Sequence, residues 1–364
     1  MSKYSFSVRL FGVLFISFLF LLVVLLATEL ILRNKPKYSR SFFEYDPDLI
    51  WRLKQNYRGM KAWGDDHYPL RFNDQGFRGP DFQKEKRPEV TRIMALGDSY
   101  TAGLDVRFED LFTTLLVDSL NATGKKKYEL LNASSPAWGT DQEYIYWKRE
   151  GQQYKPDYLL LIVAPNDIRE LYQKKLVELQ NGKIVVHPVE YPAKARRGWW
   201  WANRSSTFQY LQREIWETRY GHFWDIYEHY PVNFGKGDST NWDLPLFLVD
   251  PFPEIAEARQ LFKKLVAGIN QGCREIGCKM LITIVPTKME FDGTLDDPAY
   301  DPALVANLIS EVATEEGIPY LNLHETVKNE ADPTALFISW EFHLNEAGNA
   351  YLAKQLYPFF KANE

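Results

Sequence analysis

The sequence is poor in cysteine and has no concentrated positive charge. Cys273 and Cys278 are its 2 cysteines, too few for a disulfide-rich scaffold or a four-thiolate zinc site. Their spacing matches no ligand motif and favours two inert thiols over one local disulfide. The 43 basic residues include no run of five and face 48 acidic residues, for a formal net charge of −5. The chain therefore lacks the electrostatic pattern that binds phosphate backbones, and nucleic acid is not an expected partner.

The chain does contain ample apolar material for a globular core. Hydrophobic residues make up 45% of the 364 residues, aromatic residues 15% and charged residues 25%. Intrinsic disorder requires low hydrophobicity and high net charge, so this composition excludes it for most of the chain. The length predicts about two domains, or one domain with a large insertion.

A long uncharged apolar run lies near the N-terminus, beginning at Leu10 and ending at Thr28. At about 1.5 Å per helical residue, it matches the hydrocarbon thickness of a bilayer. No A-x-A-like site follows it, which favours an uncleaved anchor in the lipid bilayer over a cleaved signal peptide. The positive-inside rule alone would leave the body of the protein in the cytoplasm, because Arg33, Lys35, Lys37 and Arg40 follow the run.

The remaining chain divides by pattern into three parts. Residues 1–37 form the predicted anchor, and residues 38–90 show no clean period of 2 or 3.6 and are predicted to form an irregular segment, here called the collar. Residues 91–364 alternate short apolar runs with amphipathic stretches. An aromatic-rich stretch at about 170–250, which contains Trp199, Trp200 and Trp201, interrupts this alternation and is predicted to be an insertion over the sheet.

The alternation predicts an α/β domain of three layers, with a parallel sheet covered on both faces. The run at 158–163 is continuously apolar, which is typical of a strand buried on both faces. Predicted strands are 93–96, 128–132, 158–163, 279–285 and 318–323. Predicted helices are 110–120, 255–276, 302–316 and 346–362.

Polar motifs follow three of these strands, at the sheet edge where open parallel sheets bind ligands. Ser99 lies between the first strand and a helix, where its hydroxyl serves either as a nucleophile or simply as a helix cap. Asn166 follows the third strand, and its amide either donates to an oxyanion or belongs to an ordinary turn. After the second strand comes a turn of small residues that includes Ala137 and Gly139.

A nucleophilic serine requires a base, and the context of His343 singles it out. It lies in a loop directly before the last helix, whereas His222 and His229 fall in the aromatic insertion. His324 ends a strand and is the second candidate for the base.

Taken together, these motifs resemble the SGNH, or GDSL-type, hydrolases, in particular bacterial membrane-anchored members. The matching blocks, in order, are Gly97-Asp98-Ser99, Asn132-Ala133-Ser134-Ser135-Pro136-Ala137, Ala164-Pro165-Asn166-Asp167 and His343-Leu344-Asn345. Similar flanks are Tyr45-Asp46-Pro47, Asn73 to Gly79, Gly139 to Glu143 and Lys155-Pro156-Asp157. The resemblance covers about residues 40–175 and 255–360.

The resemblance implies a flavodoxin-like fold and acyl-ester chemistry without a metal or a cofactor. Ser99 would attack the ester carbonyl and His343 would transfer the proton. The backbone N–H of Ser99, an N–H of the second block at Ala137 or Gly139, and the Asn166 amide would hold the oxyanion.

The chain departs from the family where the acid that orients the histidine is expected. The family has aspartate two or three residues before the histidine, and those positions here are Glu341 and Trp340. Glu341 is the favoured acid. The alternatives are a Ser-His dyad oriented by a backbone carbonyl, or a site that has lost activity.

The expected function is a membrane-anchored esterase or O-acyltransferase, facing outside the cytoplasm and acting on an acylated envelope glycan or another ester. Hydrolysis and transfer use the same residues. The rival is a non-catalytic carbohydrate-binding protein on the same fold, in which Trp199, Trp200 and Trp201 would stack on sugars or, alternatively, pack the insertion.

Overall fold

The computed structural model describes residues 6–33, 42–61, 67–124, 126–189, 205–207, 243–339 and 342–364. The α-helices are α1 (Phe6–Arg33), α2 (Ser99–Ala102), α3 (Phe112–Ala122), α4 (Thr140–Arg149), α5 (Pro165–Lys174), α6 (Pro253–Glu275), α7 (Leu304–Glu316), α8 (Leu323–Lys328) and α9 (Glu346–Asn363). The strands are β1 (Phe43–Asp46), β2 (Ile50–Leu53), β3 (Arg58–Met60), β4 (Pro69–Arg71), β5 (Val90–Gly97), β6 (Lys127–Ser134), β7 (Tyr158–Val163), β8 (Val177–Gln180), β9 (Lys183–Val186), β10 (Lys279–Ile284) and β11 (Tyr320–Asn322).

The central sheet has five parallel strands in the order β11-β10-β7-β5-β6. Its inner strands are almost wholly apolar and buried, because helices cover both faces. From β5, the next strand in the chain, β6, is added on one side of the sheet. The later strands β7, β10 and β11 are added in turn on the other side. The order therefore reverses between β5 and β7, and in a doubly wound sheet this switch point leaves a crevice at the strand ends. The predicted α/β class with a parallel sheet is confirmed.

The collar is more regular than its sequence indicated. Strands β1 and β2 pair antiparallel, and so do β3 and β4. Strands this short show too few residues for a period to be recognised. The aromatic-rich stretch at about 170–250 includes the end of helix α5 and the β8–β9 hairpin. Its residues Trp199, Trp200 and Trp201 lie outside the described residues.

Helix α1 is strongly apolar and most of its described side chains are exposed, with a mean hydropathy of 3.1 in the most apolar 18 residues of Val8–Arg33. Among the described residues it alone is long and apolar enough to cross a membrane, and its position fits either an anchor or a signal sequence. Glu29, near its C-terminal end, accepts hydrogen bonds from Ser205, Ser206 and Thr207 of the insertion.

The two cysteines form a disulfide, and the expectation of two inert thiols was wrong. Helix α6 ends in a turn in which Cys278 N–H donates to the Cys273 carbonyl and Gly277 adopts a left-handed φ of 74°. This reversal brings the two Cα atoms to 4.7 Å, within the range for a disulfide. Sequence spacing alone does not reveal it, because the turn depends on where the helix ends.

We expect this disulfide to stabilise the fold by about 2 kcal/mol, since it closes a short loop in the unfolded chain. Denaturant unfolding of the protein with and without a phosphine reductant measures the difference. A variant with both Cys273→Ala and Cys278→Ala is the control, and its stability should not respond to the reductant. An equal response in the parent and the control would contradict the bond.

Candidate active site

The three strand-end motifs converge at the switch point between β5 and β7. Gly97 is the last residue of β5, where a Cβ would collide with Thr101 Oγ1 and lie 2.9 Å from the Ile162 carbonyl oxygen of the neighbouring strand β7. Asp98 then caps α2, its Oδ1 accepting the Tyr100 N–H at 2.9 Å. Ser99 is thereby held at the first position of α2, half-buried at the crevice.

His343 faces this serine, with Nε2 2.8 Å from Ser99 Oγ. Its loop is fixed on both sides: the Tyr100 hydroxyl donates to the Phe342 carbonyl at 3.0 Å, and Ile338 N–H donates to the His343 carbonyl at 2.9 Å. The hydroxyl proton of Ser99 has a second acceptor, Asp98 Oδ2, at the longer distance of 3.2 Å. The shorter contact places the hydroxyl and the imidazole within the hydrogen-bond reach that a nucleophile and its base require.

The opposite ring nitrogen of His343 faces Asp105, which sequence reasoning missed. Nδ1 lies 3.3 Å from Asp105 Oδ2, and both side chains are largely buried. Lys61 of the collar, in turn, lies 3.8 Å from Asp105 Oδ1. The predicted acid Glu341 lies outside the described residues. The missed signal was an aspartate on the loop directly after α2, six positions beyond Ser99 and on the serine's side of the sequence.

Asn166 lies in the first turn of α5, directly after β7, and its amide points toward the serine's cap. Its Nδ2 donates to Asp98 Oδ2 at 2.8 Å. A side-chain amide carries two N–H donors, so this bond orients the group and leaves its second N–H for another acceptor.

The second-block loop, residues 134–139, contains two candidate oxyanion donors, the backbone N–H groups of Ala137 and Gly139, and their settings differ. Ala137 adopts a φ of 59°, in the left-handed region that favours glycine. The Gly139 N–H donates to Gln142 Oε1 at 3.2 Å and so caps α4. The expectation of Gly139 as an oxyanion donor is not supported by this geometry, and its small size serves packing instead, since a Cβ would lie 2.6 Å from Glu170 Cβ.

The other described histidines lie in different settings. His324 Nδ1 lies 2.5 Å from Glu290 Oε2 in a buried pair, so the second candidate for the base has its own partner away from Ser99. His187 lies 3.2 Å from Glu178. His222 and His229 lie outside the described residues. Among the described residues, no group of three or more His, Cys, Asp or Glu side chains is arranged to hold a metal ion.

A buried carboxylate cluster lies behind the nucleophile and consists of Asp98, Glu143 and Asp167, all completely buried. Burial raises the pKa of Glu143 and of Asp167 well above their ordinary values, and the negative charge of Asp98 adds to both shifts. Burial likewise raises the pKa of Asp98, opposed by its hydrogen bond from Asn166 and by the nearby His343. Groups behind the site therefore hold protons at pH values where exposed carboxylates are ionised.

We expect the cluster to make stability fall as pH rises. A carboxyl whose pKa is raised on folding binds its proton more tightly in the native state, so unfolding becomes easier above its ordinary pKa. Glu143→Gln removes one such group and should flatten the fall of the unfolding free energy as pH rises above the ordinary glutamate pKa. Glu89→Gln, on the surface, is the control and should keep the parent slope. A parent-like slope in Glu143→Gln would contradict the shift.

Comparison with known proteins identifies a family for this chain. The sequence matches the GDSL-like Lipase/Acylhydrolase family over residues 95–351, a span that includes Ser99, Asn166 and His343. No curated protein matches the chain.

The chain is also similar, at low identity, to several solved structures, of which three are described. TesA is 13% identical and covers 74% of this chain and 98% of its own, with a TM-score of 0.44. The psychrotrophic esterase EstA from Pseudoalteromonas sp. is 12% identical, with 75% and 97% covered and a TM-score of 0.40. A variant of Axe2, an acetyl-xylooligosaccharide esterase from Geobacillus stearmophilus, is 12% identical, with 75% and 94% covered and a TM-score of 0.42. Because the family match spans well over half of the sequence, the chain belongs to the GDSL-like lipase/acylhydrolase family.

Proposed function

We propose that this protein is a serine-dependent ester hydrolase or O-acyltransferase that works through Ser99, His343 and Asp105. The observation that carries the proposal is the continuous contact from Ser99 Oγ to His343 Nε2 at 2.8 Å and from His343 Nδ1 to Asp105 Oδ2 at 3.3 Å. A nucleophile, a base and a group that orients the base form the unit that acyl transfer requires.

In the first half-reaction, Ser99 Oγ attacks the ester carbonyl carbon while its proton passes to His343 Nε2. The carbonyl π bond breaks, and its electron pair comes to rest on the oxygen as an oxyanion. When the tetrahedral intermediate collapses, the bond to the leaving alcohol breaks and His343 returns the proton to that oxygen. An acyl-Ser99 ester remains.

Three donors are proposed to hold the oxyanion: the backbone N–H of Ser99, the backbone N–H of Ala137 and the Asn166 amide. The hydrogen bond from Asn166 to Asp98 supports this assignment, because it fixes the amide before substrate arrives. Pre-oriented donors stabilise developing charge without reorganising, and each one is worth about 3 to 4 kcal/mol at the transition state by analogy with other oxyanion holes.

Asp105 is the proposed acid. A carboxylate at Nδ1 holds the imidazole in the tautomer that leaves Nε2 free to accept a proton, and it stabilises the imidazolium that forms during attack. Glu341 remains a competing prediction from the sequence, and a backbone carbonyl at Nδ1 is the third alternative. The distance of 3.3 Å between Asp105 Oδ2 and the ring nitrogen Nδ1 supports Asp105 in this role.

Hydrolysis and transfer diverge only at the second half-reaction. Water attacking acyl-Ser99 gives a carboxylic acid, whereas a hydroxyl of an acceptor sugar gives a new ester. An acylated envelope glycan or another ester is the proposed substrate. The catalytic interpretation is preferred to a carbohydrate-binding role because binding alone does not require a serine aligned with a histidine and an acid.

We further propose that α1 is an uncleaved anchor and that the body faces outside the cytoplasm. The disulfide between Cys273 and Cys278 supports this side, because such bonds persist in oxidising compartments. This argument opposes the charge count around the apolar run, which favours the cytoplasm.

The three candidates for the group that orients His343 predict different kinetics for a short-chain nitrophenyl ester. If Asp105 is the acid, Asp105→Asn should lower kcat by about 10⁴-fold, and Glu341→Gln should leave it within about tenfold of the parent. Ser99→Ala and His343→Ala should each abolish most turnover, and the double variant should lose little more, since members of one unit are not additive. Near-parental turnover in Ser99→Ala would refute the function.

The two variants also decide among the alternatives. A severe loss only in Glu341→Gln would assign the acid to Glu341. Mild losses in both would assign the orienting role to a backbone carbonyl. Asp118→Asn, at an exposed position on α3, controls for the general effect of removing a negative charge.

The proposed location predicts that a phosphatase fused after Glu364, active only in an oxidising compartment, is active in intact cells. A fluorescent reporter that matures only in a reducing compartment should be dark at the same position. Deletion of residues 1–33 should reverse both results. An inactive phosphatase fused to the full chain would show that the charge count predicts the correct side of the membrane.

A further inference from the structure

We infer that Trp51 of the collar is a positioning residue for the oxyanion hole, because its indole N–H fixes the peptide that carries the Ala137 N–H. This inference rests on the proposed function, in which Ala137 is an oxyanion donor. It assigns a role to a part of the chain that precedes the family match, which begins at residue 95.

Hydrogen bonds fix the turn between β1 and β2 that leads into Trp51. The Asp46 Oδ1 accepts the N–H groups of Asp48 and Leu49, and Arg149 of α4 binds both oxygens of Asp46 at 2.7 and 2.8 Å. Ile50 then adopts a φ of 66°, a conformation that a β-branched residue avoids unless its surroundings impose it. Because this backbone is held in place, the Trp51 side chain that it carries is suited to orienting another group.

Two indole hydrogen bonds join this turn to the second-block loop. Trp51 Nε1–H donates to the Pro136 carbonyl at 3.0 Å, and Trp138 Nε1–H donates to the Trp51 carbonyl at 3.0 Å. The Pro136–Ala137 peptide is trans, so its N–H points opposite to its C=O. A donor that fixes the direction of the Pro136 carbonyl therefore also fixes the direction of the Ala137 N–H.

The peptide on the other side of Ala137 has its own clamp. Lys174 Nζ, nearly buried, donates to the Ala137 carbonyl at 2.6 Å and lies 5.0 Å from the centre of the Trp51 ring. Ala137 is thus held in its left-handed conformation from both sides, although alanine does not favour it. Glycine would reach this conformation without such support, which explains why this chain needs the collar contact.

Trp51 also packs against Phe43 and is almost fully buried, so a purely structural role must be separated by experiment. Trp51→Phe keeps an aromatic ring and the backbone carbonyl that Trp138 uses, and it removes the donor to Pro136. Trp147→Phe is the matched control, because Trp147 is also buried and its Nε1–H donates to a backbone carbonyl, that of Ile269, at 3.1 Å.

We expect Trp51→Phe to lower kcat for the nitrophenyl ester by about tenfold or more relative to Trp147→Phe, with KM unchanged, since misplaced oxyanion donors weaken the transition state alone. The inhibition constant of a trifluoromethyl ketone, which forms an oxyanion on Ser99, should rise by the same factor. That of the matching secondary alcohol should not change. Circular dichroism and the melting temperature check that both variants fold.

A kcat for Trp51→Phe within about fivefold of that of Trp147→Phe, or a loss that the ketone does not share, would overturn the positioning role. The result is separable from the proposed function. If Ser99→Ala retains activity the function itself fails, whereas an inactive Ser99→Ala with a normal Trp51→Phe removes only this inference.

Discussion

The contact between Ser99 and His343 is the interaction on which the rest of the site depends, and it joins residues 244 positions apart. Two tertiary features bring them together. The sheet places Ser99 at the end of β5, and α9 packs against α3 so that the loop before α9 returns to the same edge. Asn349 joins the two helices, its Oδ1 accepting the Phe112 N–H at 3.1 Å. The contact between Ser99 and His343 therefore depends on the packing of the last helix.

The collar contributes to this alignment as well. Arg78, in the motif from Asn73 to Gly79, is buried and donates to the carbonyls of Gly103 and Val106, which flank Asp105. Burial lowers the pKa of Arg78 to about 10, which leaves it cationic at neutral pH. With Trp51 behind the second-block loop, the segment before the hydrolase domain holds two of the loops that surround Ser99. The collar and the domain that carries Ser99 thus form one packed structure.

Much of this architecture follows from local patterns in the sequence. The apolar run at 158–163 became β7 with the same bounds, and the predicted strand at 93–96 lies within β5, because buried parallel strands need continuous apolar residues. Ser99, Asn166 and His343 were recognisable from their places after strands and before helices. The structure brings Ser99 to both of the others, through direct contact with His343 and through Asp98 to Asn166.

What the sequence did not reveal depends on long-range packing. Asp105 reaches His343 only because the loop after α2 and the loop before α9 meet in the fold. The hydrogen bond from the Gly139 N–H to Gln142 Oε1 likewise depends on how the loop joins α4. The disulfide required the left-handed turn at Gly277, which no spacing rule supplies. Each of these contacts depends on the direction in which one side chain or one peptide points.

The central claim is that Ser99 forms a covalent acyl intermediate, and a serine-reactive phosphonate tests it most directly. Intact mass and peptide mapping of the labelled protein locate the adduct. The account predicts one adduct, on Ser99, that is absent in Ser99→Ala and forms much more slowly in His343→Ala. Equal labelling of Ser99→Ala, or a parent protein that remains unlabelled while folded, would contradict it.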